Sequence, residues 1–185
     1  MALTVTRKGY GQVEPNHLSA QYTGQIYAQL PAMTAGTGDA ADTPIAHLEN
    51  GQFLKYNYAG GRASVDGDGE WMLVYNEEKL YDERRQNHKD FAMHASEMAD
   101  KTIYPRLLKT NIGDIYTTNT FAGSASGPDA EVTGPELAVG NYLAIGNDGW
   151  LAKEDNKPQS GIVFQVVKEY NLADMQPAVK IQRIQ

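Results

Sequence analysis

The sequence predicts a mainly β protein, a small barrel or sandwich in one lobe or two, with one or two short helices and an extended N-terminal arm. Apolar residues alternate with polar ones, or form short apolar runs, between turns rich in glycine, asparagine and aspartate. Helical spacing of apolar residues is convincing in one segment only. The 185 residues suit one domain, or one domain that carries an arm or a small lobe.

Residues 1–24 are polar and are interrupted by glycine and proline, so no regular period of apolar residues develops. We therefore expect a flexible N-terminal arm rather than a packed element. The segment also lacks the apolar core of a signal peptide, and we expect no export by that route.

Residues 25–125 are predicted to form a β-rich domain with strands at 25–30, 52–58, 70–75 and 114–121. In the second strand, Leu54, Tyr56 and Tyr58 alternate with polar neighbours, as in a half-buried strand. The third, from Glu70 to Tyr75, is apolar enough to be buried on both faces. We expect the second and third strands to pair.

One short helix is predicted near residues 87–99 of this domain. Asn87 can cap its N-terminus, and Phe91, Ala95 and Met98 lie at helical spacing on one face.

Residues 126–185 are predicted to form a small C-terminal β-subdomain, joined by a glycine- and serine-rich linker over 123–134. The turn residues 146–149 separate two apolar segments and predict a hairpin, since asparagine and glycine accept the backbone angles of tight turns. Two further strands are expected at 161–167 and 178–184. The alternation slips at Arg183 and Ile184, which indicates either a bulge or a frayed strand end.

Charge and composition exclude several classes of function. Sixteen basic against 23 acidic residues give a net charge of −7, and no basic cluster is longer than Arg84-Arg85, so we expect no nucleic-acid partner. No apolar run approaches the roughly 18 residues of a membrane span, so we expect no membrane partner. Cysteine is absent, which removes disulfides and thiolate chemistry.

The sequence contains no convincing catalytic, cofactor or metal motif. Asp66, Asp68 and Glu70 could converge on a cation, but the other ligands of a calcium loop are missing, and a solvated turn is the favoured interpretation. The histidines are too scattered to grip one metal and are expected on the surface. The serines of segment 123–127 lack the spacing of a nucleophile elbow.

Four C-terminal segments carry a resemblance to a known family: 139–143, 147–151, 161–163 and 176–181. Their order of glycine, apolar pair, Asp-Gly turn, Gly-Ile-Val strand and final alternating strand resembles the head decoration proteins, or capsid cement proteins, of tailed phages. The resemblance implies a non-enzymatic virion protein that stabilises the outer capsid surface. It also implies that the chain binds the major capsid protein and forms a dimer or trimer.

In that family an N-terminal segment often becomes ordered on the shell, and here this segment would be residues 1–24. The residues expected to contact the capsid or another copy of the chain are Leu3, Val5, Arg7 and Tyr10, and more weakly Arg84, Arg85 and the exposed tyrosines. Deleting residues 1–24 is then expected to leave a soluble folded core that no longer binds shells.

Two other functions are weighed against this one. Eleven tyrosines, together with Trp71 and Trp150, would suit a carbohydrate-binding head-fibre or receptor-binding β-module. A hydrolase with a split site is the third hypothesis, but nothing in the sequence places a nucleophile beside a base.

Overall fold

The computed structural model describes residues 2–19, 26–27, 30–36, 41–76, 92–121, 123 and 130–185. Within these ranges the chain is built from antiparallel sheets that do not close into a barrel, which confirms the predicted mainly β class.

The described strands are short and follow one another closely along the chain. In order they are β1 Leu3–Lys8, β2 Val13–His17, β3 Ile26–Tyr27, β4 Met33–Thr34, β5 Thr43–Pro44, β6 His47–Glu49, β7 Phe53–Asn57, β8 Arg62–Ser64, β9 Trp71–Val74, β10 Ala92–His94, β11 Leu107–Leu108, β12 Ile115–Thr118, β13 Glu131–Leu137, β14 Tyr142–Ile145, β15 Leu151–Glu154, β16 Val163–Asn171 and β17 Pro177–Arg183. A single 3₁₀ turn, Ala95–Glu97, follows β10.

The largest sheet has six strands in the order β15-β14-β16-β17-β12-β2. The predicted hairpin is confirmed as β14 and β15, which pair from Tyr142 with Glu154 to Ile145 with Leu151. Strands β12 and β2 complete this sheet, so its strand pairing crosses the division expected between residues 125 and 126. The predicted slip at Arg183 and Ile184 has the hydrogen bonds of a bulge, because the N–H groups of Ile184 and Gln185 both donate to the Val163 carbonyl. Further register shifts in this sheet lie in β16 between Val166 and Lys168 and in β12 between Ile115 and Tyr116.

The second sheet has five strands in the order β3-β11-β9-β7-β8. The expected pairing of the second and third predicted strands is confirmed, because β7 and β9 run antiparallel with Phe53 opposite Leu73. The two larger sheets share one core, in which the Phe53 and Phe164 rings lie 5.9 Å apart between centroids. A smaller apolar cluster around Leu48, Leu54 and Leu107 fills the far side of the five-stranded sheet.

The expectation of a flexible arm at residues 1–24 is wrong for the part that is described. Strand β1 pairs with β13, and β2 forms the edge of the six-stranded sheet. The side chains of Val5 and Leu18 are buried in the main core. Alternation over residues 3–8 is sufficient for a strand once β13 supplies the hydrogen-bonding partner. Residues 20–24 lie outside the described part.

The predicted helix near 87–99 is also wrong where it can be compared. Residues 87–91 lie outside the described part, while β10 is extended and pairs with β6, with His94 opposite His47. Ala95 begins a 3₁₀ turn and Met98 follows directly after it, and Ala95 is buried. The predicted linker is partly strand as well, because β13 begins at Glu131.

Candidate functional site

The predicted contact residues of the N-terminal segment lie inside the protein. Val5, Arg7 and Tyr10 are buried, and Leu3 is partly buried against the main core. Pairing with β13 holds the β1 residues against the main core, and Tyr10 packs in a separate small cluster with Ala92. The expectation that these four residues contact the capsid or another copy of the chain is therefore corrected. Deleting residues 1–24 would remove two strands and core side chains, and the folded core expected of that truncation is therefore also corrected. Both basic residues of the 84–85 pair lie outside the described part.

Arg7 is the centre of a buried polar network. Its Nη2 donates to Glu49 Oε2 at 2.9 Å and to the Gly123 carbonyl at 2.8 Å. Its Nε and Nη1 donate to the carbonyls of Gly9 and Phe121, each at 3.2 Å. The side chains of Arg7 and Glu49 are 1% and 0% exposed. Burial lowers the pKa of the Arg7 guanidinium, and the Glu49 carboxylate opposes that shift.

Two histidines that are far apart in the sequence, His47 and His94, lie next to each other beside this network. Because β6 pairs with β10, the rings of His47 and His94 lie 5.9 Å apart, and Tyr10 packs edge-on against His94 at 5.6 Å. The Nε2 atom of His47 lies 3.9 Å from Glu49 Oε1. No signal in the sequence links these positions, because the pairing joins segments more than 40 residues apart.

Two of the three carboxylates in the 66–70 turn, those of Asp66 and Glu70, bind cationic side chains of the protein itself. Asp66 accepts from Arg62 Nη2 at 2.9 Å, and Glu70 lies 2.8 Å from Lys109 Nζ and 3.3 Å from Arg183 Nη1. Within the described ranges no group of three or more histidine, aspartate or glutamate residues could hold a metal ion.

Large apolar side chains are exposed in turns at the ends of the six-stranded sheet. Ile112 is 72% exposed in the turn before β12, and Met175 is 74% exposed in the turn between β16 and β17. Met175 is held at φ 68°, in the left-handed region that non-glycine residues seldom adopt. Its N–H donates to the Leu172 carbonyl at 2.8 Å, which closes the turn.

The tryptophans are not available as exposed stacking platforms. Trp150 is buried, and the Arg7 guanidinium lies 5.6 Å from its ring centroid. Trp71 is half-buried, with Lys55 Nζ 4.4 Å from its ring centroid. Exposed aromatic surface comes instead from tyrosines such as Tyr58.

Two cavities open at the surface of the described structure. One, of about 310 Å³, lies between β1 and the β16–β17 turn and is lined by Lys8, Glu131 and Asp174 among others. The other, of about 280 Å³, lies beside the β14–β15 turn and combines an apolar wall with the carboxylates of Asp66 and Asp148.

Comparisons with known proteins supply no relative. No family model, no curated protein and no solved structure matches the chain. In the part of the chain that the structure describes, no helix is long and apolar enough to cross a membrane.

Proposed function

We propose that this chain is a non-enzymatic structural protein of a tailed-phage virion. In this proposal it binds the major capsid protein on the outer surface of the capsid and stabilises the shell as a decoration protein. The observation that carries the proposal is the pair of exposed apolar anchors, Ile112 and Met175, at the two ends of one sheet. Contact with a shell would remove these apolar side chains from water, which is favourable.

The two anchors are separated by the length of β17. The Gly113 N–H, next to Ile112, donates to the Arg183 carbonyl at one end of this strand, and Met175 lies just before Pro177 at the other. Seven residues at about 3.3 Å each place the anchors roughly 20 Å apart or more. A rigid sheet with a contact point at each end suits a protein that bridges neighbouring subunits.

Several charged side chains form ion pairs within the chain itself, which supports a binding role. Arg7 and Glu49 bind each other inside the protein, and Glu70 binds Lys109 at the surface. Two of the segments that resemble decoration proteins lie in the β14–β15 hairpin, which the turn residues 146–149 predict.

Weak individual contacts suffice on a repeating shell. A dimer or trimer of the chain would engage several capsid subunits at once, which raises the effective concentration at each further contact. Because the decoration protein binds the assembled shell only, mass action then opposes disassembly.

The test is co-sedimentation with purified capsids that lack the protein. Replacing Ile112 and Met175 by serine removes two apolar contacts, and burial of one such side chain contributes about 1.5–3 kcal/mol. We expect each single replacement to weaken shell binding by roughly 10- to 100-fold. Val139→Ser, at a side chain that is 61% exposed in a turn beside the middle of β16, is the matched control and should bind normally. Failure of the unaltered protein to sediment with any shell would refute the proposal.

The carbohydrate-binding module is the alternative, and its support is weaker because the tryptophans are covered. It predicts glycan-dependent quenching of tyrosine or tryptophan fluorescence, centred on exposed side chains such as Tyr58 and Tyr104. A broad glycan panel without any response would eliminate it.

A further inference from the structure

The cavity beside the β14–β15 turn has an apolar interior and an acidic rim. Its wall includes Leu48 and Leu54, both buried in the smaller apolar cluster. At about 280 Å³ it is slightly smaller than the roughly 300 Å³ at which pockets for small molecules begin, so it suits a single side chain.

The charges at the rim have one sign. Of the described residues that line the cavity, the charged ones are Asp66 and Asp148, and both are acidic. Arg62 binds Asp66 and also Asp42, at 2.9 Å each, so one guanidinium is shared between two carboxylates. These four side chains leave an excess of two negative charges, which a cation from outside the chain would complement.

A buried hydroxyl group, that of Ser64, forms part of the cavity wall. Ser64 is 1% exposed and lines the cavity, and its Oγ makes no hydrogen bond of standard geometry with any described residue. The neighbouring Ser64 hydroxyl and the Arg62 guanidinium hold the pKa of Asp66 below its usual value, which keeps this carboxylate ionised. Because the Ser64 oxygen accepts no hydrogen bond of standard geometry from any described residue, a ligand that donates one would satisfy it.

We propose that this cavity binds a lysine or arginine side chain presented by a partner protein. The aliphatic stem of the bound side chain packs against Leu48 and Leu54, while its charged head lies between Asp66 and Asp148 and within reach of the Ser64 hydroxyl. Long basic side chains combine an apolar stem with a charged head in this way. The identification of the partner as the capsid protein rests on the proposed function. The proposal that the cavity binds a basic side chain does not depend on it.

The first experiment titrates the isotope-labelled full chain by NMR with Nα-acetyl-lysine amide and Nα-acetyl-arginine amide. Nα-acetyl-norleucine amide, which has an uncharged aliphatic side chain, is the comparison fragment. We expect the basic fragments to shift the amide signals of Val65 and Gly149 and to bind at least threefold more tightly than norleucine amide. Equal shifts from norleucine amide would overturn the cationic ligand class, and absence of shifts would overturn the site.

Variants then separate the cavity from its surroundings. Asp148→Asn should weaken the basic fragments by about two- to fivefold, as expected for an exposed ion pair. Asp68→Asn removes an exposed carboxylate from the same turn as Asp66 but outside the cavity, and should change nothing. Val65→Trp, at the mouth, should abolish fragment binding while leaving the remaining spectrum intact. Equal weakening by both asparagine variants would show that general charge, and not the cavity, binds the fragments.

The final measurement identifies the source of the side chain. If the capsid protein supplies it, Asp148→Asn weakens sedimentation with shells and Asp68→Asn does not. Fragment binding combined with unchanged sedimentation of Asp148→Asn would overturn the capsid protein as the source. Failure of the unaltered chain to bind shells would instead refute the proposed function, and the fragment titration would still decide the cavity.

Discussion

Replacing Arg7 by methionine should destabilise the protein more than any surface substitution. The change leaves the Glu49 carboxylate, which is 0% exposed, without its cation, although the Gly11 N–H still donates to it at 2.7 Å. It also removes the donors to the Phe121 and Gly123 carbonyls. Breaking a buried ion pair by removing one partner costs about 3–5 kcal/mol. For a chain of this size that corresponds to a fall of roughly 6–20 °C in Tm.

The measurement is urea denaturation at pH 7, followed by tryptophan fluorescence and by circular dichroism, with free energies of unfolding obtained by linear extrapolation. Adding Glu49→Gln to the Arg7→Met variant removes the buried charge, and the double variant should recover at least about 1 kcal/mol. Lys109→Met breaks an exposed pair with Glu70 and should cost less than about 1 kcal/mol.

Two results would contradict this reasoning. An Arg7→Met variant within 1 kcal/mol of the unaltered protein would show that the network contributes little. A double variant no more stable than Arg7→Met would show that the loss comes from packing and from the backbone carbonyls rather than from the unpaired carboxylate.

Three further predictions concern single side chains. Gly149→Ala should lower the free energy of unfolding, measured by urea denaturation, by about 1–3 kcal/mol, because a Cβ there would clash with the Phe53 carbonyl oxygen. Gly140→Ala should lower it less, since Gly140 has a similar positive φ but open space around it. Tyr116→Phe should be neutral or stabilising by about 1 kcal/mol, because the buried hydroxyl has no partner among the described residues. Burial raises the pKa of Tyr116, whereas the tyrosine of the unfolded chain ionises near pH 10. Above about pH 10 the free energy of unfolding of the unaltered protein should therefore fall by up to about 1.4 kcal/mol per pH unit because of this residue. Tyr116→Phe should lack that part of the decrease. Met175→Gly should raise the free energy of unfolding by about 0.5–1 kcal/mol, because glycine adopts the positive φ at this position without strain. The same change should weaken shell binding. A lower free energy of unfolding would contradict backbone strain at this turn.

Local patterns were sufficient for the fold class and for several strand pairs. The glycine and asparagine turn at 146–149 predicts the β14–β15 hairpin, because two-stranded hairpins are determined by their turn residues. Alternation in β7 and the apolar run in β9 likewise predict two neighbouring strands, and these strands do pair. Such features depend on residues that are close along the chain.

The errors occurred where distant residues decide the structure. The glycines of residues 1–24, on which the expectation of an arm rested, lie around two strands. The partners of these strands, β13 and β12, follow roughly 100 to 135 residues later in the chain. The helical spacing near residue 95 was overridden by pairing of β10 with β6. Side-chain periodicity within a segment does not identify its partner, and a strand exists only where a partner accepts its hydrogen bonds.

The order of amino acids by itself therefore determined a mainly β protein with a C-terminal hairpin, an acidic charge and no thiol chemistry. Tertiary structure alone decided that Arg7 and Glu49 form a buried pair and that Asp66 and Asp148 share one cavity. The physical reason is that these residues are far apart along the chain. Arg7 and Glu49 are separated by 42 residues, and Asp66 and Asp148 lie in turns that belong to two different sheets. Contacts of this kind depend on how the sheets pack, which no local pattern of residues specifies.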